Sequence, residues 1–281
     1  WYLSPRKIRR KNLCGLIMHP ANKVCVVTGG ANGIGRALCQ RLHDEGARVV
    51  VVVDLEEANA KAYAAEIGGV GFGVDVRDEA QMQAMVAAVE AEFGHIDLFV
   101  SNAGIIATDG EPWWATSAPN SVWQAMWDIH VMAHVYAARA CLPKMIERGE
   151  GYFLNTASAA GLLSQVGDAA YSVTKHAAVG WAESLAITHG DDGIKVSCLC
   201  PQAVSTRMIG EIKDGGTAGV DGILPPEAVA QAVIDGLAAE SFLILPHPQV
   251  VEYRARKADN YDRWINGMRK LRRLFGNPTL S

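Results

Sequence analysis

Lys23–Thr28, KVCVVT, runs straight into Gly29, Gly30, Ala31, Asn32, Gly33, Ile34 and Gly35, and a helical pattern follows to about Glu45. Few folds accept such a stretch. A short β-branched apolar run that stops at glycines is a buried strand. Strand, glycine-rich turn and helix together make a cradle for phosphate. Glycines let the backbone approach a pyrophosphate, and the helix N-terminus offers free N–H groups and a partial positive charge. A lone glycine motif says little; one set between a strand and a helix says considerably more.

Arg48–Val53 is the next strand, ending at Asp54, nineteen residues beyond Gly35. At that spacing an acid meets the adenosine ribose 2′-hydroxyl and repels a 2′-phosphate. Leu55, Glu56 and Glu57 follow with no cation, and Ala31 and Asn32 are neutral, so NAD is favoured over NADP. Alternation continues through strands at Val70–Val74, Ile96–Val100, Gly151–Asn155, Ile194–Cys200 and Phe242–Leu245. Helices are expected at Glu79–Phe93, about 121–147, Ala169–His189 and near 226–239. This pattern predicts one α/β domain over 18–248, a doubly wound Rossmann-type parallel sheet with helices on both faces. Ligands of such sheets bind at the carboxyl ends of the strands, where Asp54, Asp75, Asn102, Ser158 and Pro201 all fall.

Tyr171 and Lys175 are one helical turn apart on a shared face. An ammonium beside a phenol favours the phenolate, which makes Tyr171 a candidate general base with its pKa lowered by Lys175. Ser158, thirteen residues earlier across a Gly-rich turn, offers a hydroxyl to a substrate oxygen.

These motifs together resemble the short-chain dehydrogenase/reductase family: T-G-x-x-x-G-I-G at Thr28–Gly35, N-A-G at Asn102–Gly104, Ser158, and Y-x-x-x-K at Tyr171–Lys175. The resemblance covers about 20–245 and implies reversible hydride transfer between NAD and an alcohol or ketone. It makes Tyr171 the general acid/base, with Lys175 lowering its pKa and holding the nicotinamide ribose, and Ser158 orienting the substrate oxygen. Gly29, Gly33, Ile34 and Gly35 would line the pyrophosphate and ribose, with Asn32 in the same loop and Asp54 and Leu55 at the adenosine. Asp75 and Val76 would bracket the adenine. Asn102, Ala103 and Gly104 would support the sheet and cofactor, and Pro201, Val204 and Thr206 would reach the nicotinamide. Two residues depart from the family pattern. His130 stands where the long helix usually carries an Asn that holds a water beside the Lys; a relay by His130 itself, a weakened relay and a structural histidine are the alternatives. Gln202 replaces a Gly after Pro201, at a contact made by backbone.

The substrate segments are expected at 105–121 and at the Gly-rich 207–224. Ile105, Ile106, Trp113, Trp114, Met208 and Ile209 suggest a hydrophobic or aromatic secondary alcohol, or else packing or oligomer contacts. A net charge of −4 argues against a general nucleic-acid binder, and no apolar run is long enough to span a membrane. The six cysteines show no C-x-x-C pair and are expected to be reduced, mostly buried thiols of a cytoplasmic protein. No metal is expected; a homo-oligomer, dimer or tetramer, is.

Residues 1–17 carry a basic cluster without helical periodicity and are expected to be a disordered or added extension before Met18; a targeting presequence is the alternative. Residues 249–281 form a C-terminal extension, with 249–275 expected to be one basic amphipathic helix: Tyr261, Trp264, Ile265, Met268, Leu271 and Phe275 recur at steps of three and four. Its expected role is docking on the chain's own body or on a neighbouring subunit, with an anionic membrane surface as the alternative. Two further functional readings stand beside the dehydrogenase: a cofactor-binding regulator with weak catalysis, and a membrane-associated steroid or lipid dehydrogenase.

Overall fold

The computed structural model describes residues 18–208 and 216–275. The expectations for 1–17, for Cys14 and for Ile209 lie outside them.

Seven strands form one parallel sheet: β1 Val24–Thr28, β2 Val49–Asp54, β3 Val70–Gly73, β4 Leu98–Ser101, β5 Gly151–Thr156, β6 Ile194–Leu199 and β7 Leu243–Ile244. Their spatial order is β3-β2-β1-β4-β5-β6-β7. Residues of the central strands alternate between two apolar layers, as the period-2 pleat requires. Val51, Phe99 and Phe153 pack on one face, together with residues of α3 (Glu79–Phe93), α5 (Ala133–Arg148) and α7 (Ala169–His189). Leu98, Val100 and Leu154 pack on the other, with residues of α1 (Gly33–Asp44), α2 (Glu57–Glu66) and α8 (Pro226–Ala238). Burial on both faces is why the strands read as continuous apolar runs. Cys25, Cys39, Cys141, Cys198 and Cys200 are free and buried, and the Cys198 and Cys200 sulfurs lie 3.8 Å apart on their shared strand face.

Three expectations about helices are corrected. The long helix is interrupted: α4 (Asn120–Trp127) passes into a π-helical turn at Asp128–Met132 before α5 begins. The wider turn carries His130 into the protein, where it is fully buried. The span between Ser158 and Tyr171 contains a one-turn helix, α6 (Ala160–Leu163). The C-terminal extension is two helices, α9 (Gln249–Asp259) and α10 (Tyr261–Phe275). Asn260 causes the break: it is extended, and its side-chain oxygen accepts from Arg263 N at 2.8 Å, capping α10. The extension rests on the chain's own body, with Val250 fully buried against Ala159 and Leu163.

The strand ends are tied together by side chains. Thr28 Oγ1 accepts from the backbone N–H groups of Asn102 (2.9 Å) and Ala103 (3.1 Å), fixing the end of β1 to the turn after β4. Thr28→Val keeps the shape and leaves both N–H groups without that acceptor. We expect the variant to lose about 1–3 kcal/mol in a denaturant titration. An unchanged midpoint would remove this tie from the account of the sheet edge.

Candidate active site

At the carboxyl edge, β1 ends in the turn that starts α1. Asn32 precedes the helix in extended conformation, and its side chain caps nothing. The first-turn N–H groups of α1 lack intrahelical partners by construction and face an edge with no side-chain cap. A methyl group on Gly35 would lie 2.0 Å from the Gly29 carbonyl, so only glycine lets the helix start this close to the loop. Asp54 Oδ2 accepts from Ala31 N at 3.1 Å, which draws the end of β2 onto the same turn. Arg36, the nearest cation on α1, pairs with Glu66 at 2.8 Å and stacks on Tyr63 at 3.7 Å. Neither Arg36 nor Tyr63 was singled out by the sequence pattern. Asp75 is held by Arg77 (2.6 Å), which keeps its carboxyl below the usual range, and Val76 beside it is buried.

Asn102 is the hinge of the edge. Its amide nitrogen donates to Thr28 O (3.1 Å) and its oxygen accepts from Thr156 Oγ1 (3.3 Å), so it joins the ends of β1, β4 and β5. Val204 and Thr206 follow β6 beyond Pro201, and Thr206 reaches the start of α1: a methyl on Gly33 would lie 3.0 Å from its Cγ2. The structure therefore brings the glycine turn, Asp54, Asn102 and the segment after β6 to one edge. An open cavity of about 620 Å³ lies beside the turn, lined by Asn32, Gly33, Tyr63 and Thr206 among others.

On α7, Tyr171 and Lys175 are 9% and 3% exposed. Lys175 Nζ donates to the Thr156 carbonyl (3.1 Å) and lies over the Tyr171 ring, 5.7 Å from its centre. Ser158, half-buried beyond β5, accepts from Ala160 N at 3.1 Å and hydrogen-bonds the phenol. α6 packs close behind: a methyl on Gly161 would sit 2.4 Å from the Lys175 carbonyl. Asp109 caps α7 from another segment, accepting from Ala169 N at 2.8 Å.

The expectation that Lys175 lowers the Tyr171 pKa is corrected. Burial is the largest influence and pushes the phenol up to about 12, while the Ser158 hydrogen bond works against it. Burial also brings Lys175 down to about 8. Both groups are driven toward their neutral forms, as desolvation requires.

His130 sits edge-on to Tyr171, with ring centres 5.5 Å apart. Nε2 accepts from Ile105 N at 3.1 Å, and Nδ1 lies 2.9 Å from Thr174 Oγ1. That hydroxyl donates to Ala170 O at 2.9 Å, so Nδ1 carries the proton. Burial first, then the nearby Lys175 charge, keep the ring well below its usual pKa. A neutral ring with both nitrogens engaged has no change of charge near neutral pH, which removes that form of the relay.

The family model for the short chain dehydrogenases matches residues 23–216. The chain belongs to this family. A short-chain dehydrogenase from Burkholderia phymatum, solved in complex with NAD, superposes with a TM-score of 0.77 at 27% identity, covering 87% of this chain and 96% of that one. The 3-ketoacyl-(acyl-carrier-protein) reductase of Brucella melitensis, complexed with NADH, gives 0.73 at 27% identity over 80% and 95%. In sequence, this dehydrogenase is 32% identical to the 1-deoxy-11-beta-hydroxypentalenate dehydrogenase of Streptomyces exfoliatus, covering 87% of this chain and 89% of that one.

Holding an ammonium in this dry site costs stability below the folded pKa of Lys175. The unfolded chain keeps its proton up to 10.5 and the folded one only to about 8, so the cost is present at pH 7 and disappears between those values. At about 1.4 kcal/mol per unit, less the bond to Thr156, Lys175→Met should gain roughly 2 kcal/mol at pH 7. The gain should shrink as pH approaches 10. Unfolding free energies at pH 7 and 10 test this; a gain that grows with pH contradicts it.

Proposed function

We propose that this protein is an NAD-dependent oxidoreductase that interconverts a hydrophobic or aromatic secondary alcohol and its ketone. The observation that carries this reading is the convergence of Ser158, Tyr171 and Lys175 with the glycine turn at one sheet edge. An intact set of this kind supports an enzyme over a regulator that only binds cofactor.

The uncapped first turn of α1 and the close approach at Gly35 suit a pyrophosphate, so the edge fits the cofactor. Gly29, Asn32, Gly33, Ile34 and Gly35 would hold the pyrophosphate, and Asp54 and Leu55 the adenosine ribose. Asp75 and Val76 would hold the adenine. Asn102, Ala103, Gly104, Tyr171 and Lys175 would hold the nicotinamide ribose side, and Pro201, Val204 and Thr206 the carboxamide. NAD is preferred because Asp54 is anionic and Arg36 is already committed to Glu66 and Tyr63. When bound, it supplies the hydride acceptor. The chain's own residues manage the proton. Ser158 orients the substrate oxygen, Tyr171 Oη exchanges its proton, and Lys175 supplies positive charge beneath the ring. His130 keeps Ile105 and Thr174 in register with them.

Trp113 is buried in the segment before α4, while Ile105, Ile106, Trp114 and Met208 offer exposed apolar surface. This supports a bulky apolar substrate. Similar chains bear names from both ends of the size range, including a 3beta-hydroxysteroid dehydrogenase of Eggerthella lenta and a D-threitol dehydrogenase of Mycolicibacterium smegmatis. Among the described residues no helix is long and apolar enough to cross a membrane. We place the enzyme in the cytoplasm as a homotetramer. Exposed Ile146, Val173 and Ile187 on α5 and α7 support assembly; light scattering would show a monomer if that part is wrong.

NADH formation from aromatic, alicyclic, steroid and small secondary alcohols, with NAD and NADP in parallel, tests the activity. Turnover is expected with NAD. Tyr171→Phe should abolish it while NAD affinity stays within a few-fold; retained turnover would assign the base elsewhere. Because the phenol stands near 12, its ionised fraction grows throughout the working range. Alcohol oxidation should therefore speed up from pH 7 to 9, and a flat profile would count against Tyr171 as the base.

A further inference from the structure

Pro201 and Gln202 follow β6 at the carboxyl edge, and the peptide group between them is gripped from both sides. Its carbonyl accepts from Ala159 N at 2.8 Å and from Ser158 Oγ at 3.4 Å. Its N–H donates to His247 Nδ1 at 3.1 Å. A trans peptide points its C=O and N–H in opposite directions, so the two grips together fix its plane. The chain then runs on beside Leu224, which donates from N to Ala203 O (3.1 Å) and accepts at O from Ser205 N (2.9 Å). Val204 and Thr206 belong to this stretch.

His247 is a firm post for such a grip. It stands between Pro246 and Pro248 just beyond β7 and is 2% exposed. The chain after it is tied down. Tyr253 Oη donates to Asp221 at 2.9 Å, Lys257 Nζ to the Leu162 carbonyl at 2.6 Å, and Arg272 to the Trp113 carbonyl at 2.9 Å.

The choice of a histidine here is not explained by packing. Burial holds the ring below its ordinary pKa, although Asp221 pulls the other way, so at neutral pH the ring is uncharged. With Nδ1 accepting, Nε2 carries the proton. The Ala203 and Gly222 carbonyls face the ring, yet Nε2 completes no hydrogen bond among the described residues. A buried N–H without a partner costs about 1–3 kcal/mol. A leucine would fill the space without that cost. What the histidine adds is the acceptor at Nδ1.

We propose that His247 is a positioning residue for the cofactor: by holding the Pro201–Gln202 peptide, it sets Val204 and Thr206 against the nicotinamide end. The proposal deepens the oxidoreductase reading and rests on it, because that reading places Val204 and Thr206 at the carboxamide.

The test compares NAD with ADP-ribose, which shares every part of NAD except the nicotinamide. Affinities are measured for the full chain and for His247→Leu, His247→Gln and His247→Asn. Asn offers an acceptor oxygen near the place of Nδ1, Gln offers its amide near the place of Nε2, and Leu offers neither. Leu and Gln should weaken NAD about tenfold, the worth of one buried hydrogen bond. Both should leave ADP-ribose within twofold, and Asn should keep both ligands within threefold of the parent. Equal weakening of NAD and ADP-ribose would reduce His247 to a structural role and overturn the proposal. So would a Gln variant that binds NAD as well as Asn does, or a Leu variant that binds it like the parent. If His247→Leu does not fold, the Gln and Asn pair decides. Turnover is not needed for any arm, so a parent that oxidises no alcohol sinks the activity reading alone. If the parent does not bind NAD, the cofactor reading falls; hydrogen exchange at the Gln202 amide, expected to be about tenfold faster in Leu and Gln than in Asn, then decides whether His247 holds the peptide.

Discussion

A parallel sheet brings all its strands to an end at one edge, and the chain must satisfy the backbone groups that stop pairing there. In this protein a small polar lattice does so. Thr28 serves the turn after β4, Asn102 spans from Thr28 to Thr156, and the Thr156 carbonyl accepts Lys175. Each member closes a gap left by the end of a strand. Each also fixes one wall of the site, so the fold and the site share the same hydrogen bonds. That sharing is economical, because the groups that would otherwise be orphaned are used to set the geometry of catalysis.

The site is also held away from its own comfort. Tyr171 and Lys175 are both shifted toward neutrality by burial; at neutral pH the phenol is uncharged folded or unfolded, so the standing cost to the fold comes from the Lys175 ammonium. His130 adds no charge. Its ring links the loop after β4 to α7 through Ile105 and Thr174, and the π-helical turn is what aims it there. Rigidity in this corner comes from neutral hydrogen bonds, which leaves Lys175 as the dominant cation beneath the phenol.

Much of this was legible in the sequence because the signals are local. Glu79–Phe93 and Ala169–His189 have the bounds their periodicity implies, and Asp54 and Asn102 stand at strand ends. What was missed depends on partners remote in sequence. His130 meets Ile105 and Thr174, 25 and 44 residues away, and Asp109 caps α7 from 60 residues away. The π turn carries no composition signal, and the contacts His130 makes from it are with residues remote in sequence. The break at Asn260 hid within an unbroken apolar stripe. The Tyr171 shift was misjudged because spacing reveals a neighbouring charge but not the depth of burial that outweighs it.

The acceptors for Lys257 and Arg272 are main-chain carbonyls, at Leu162 and Trp113. Any residue at either position presents the same oxygen. The segment around Trp113 can therefore change its side chains through evolution or engineering while its anchor to the C-terminal helices persists. The attachment at Trp113 is in this way independent of the side chains around it, whereas the Asp109 cap on α7 and the Tyr253–Asp221 bond depend on theirs.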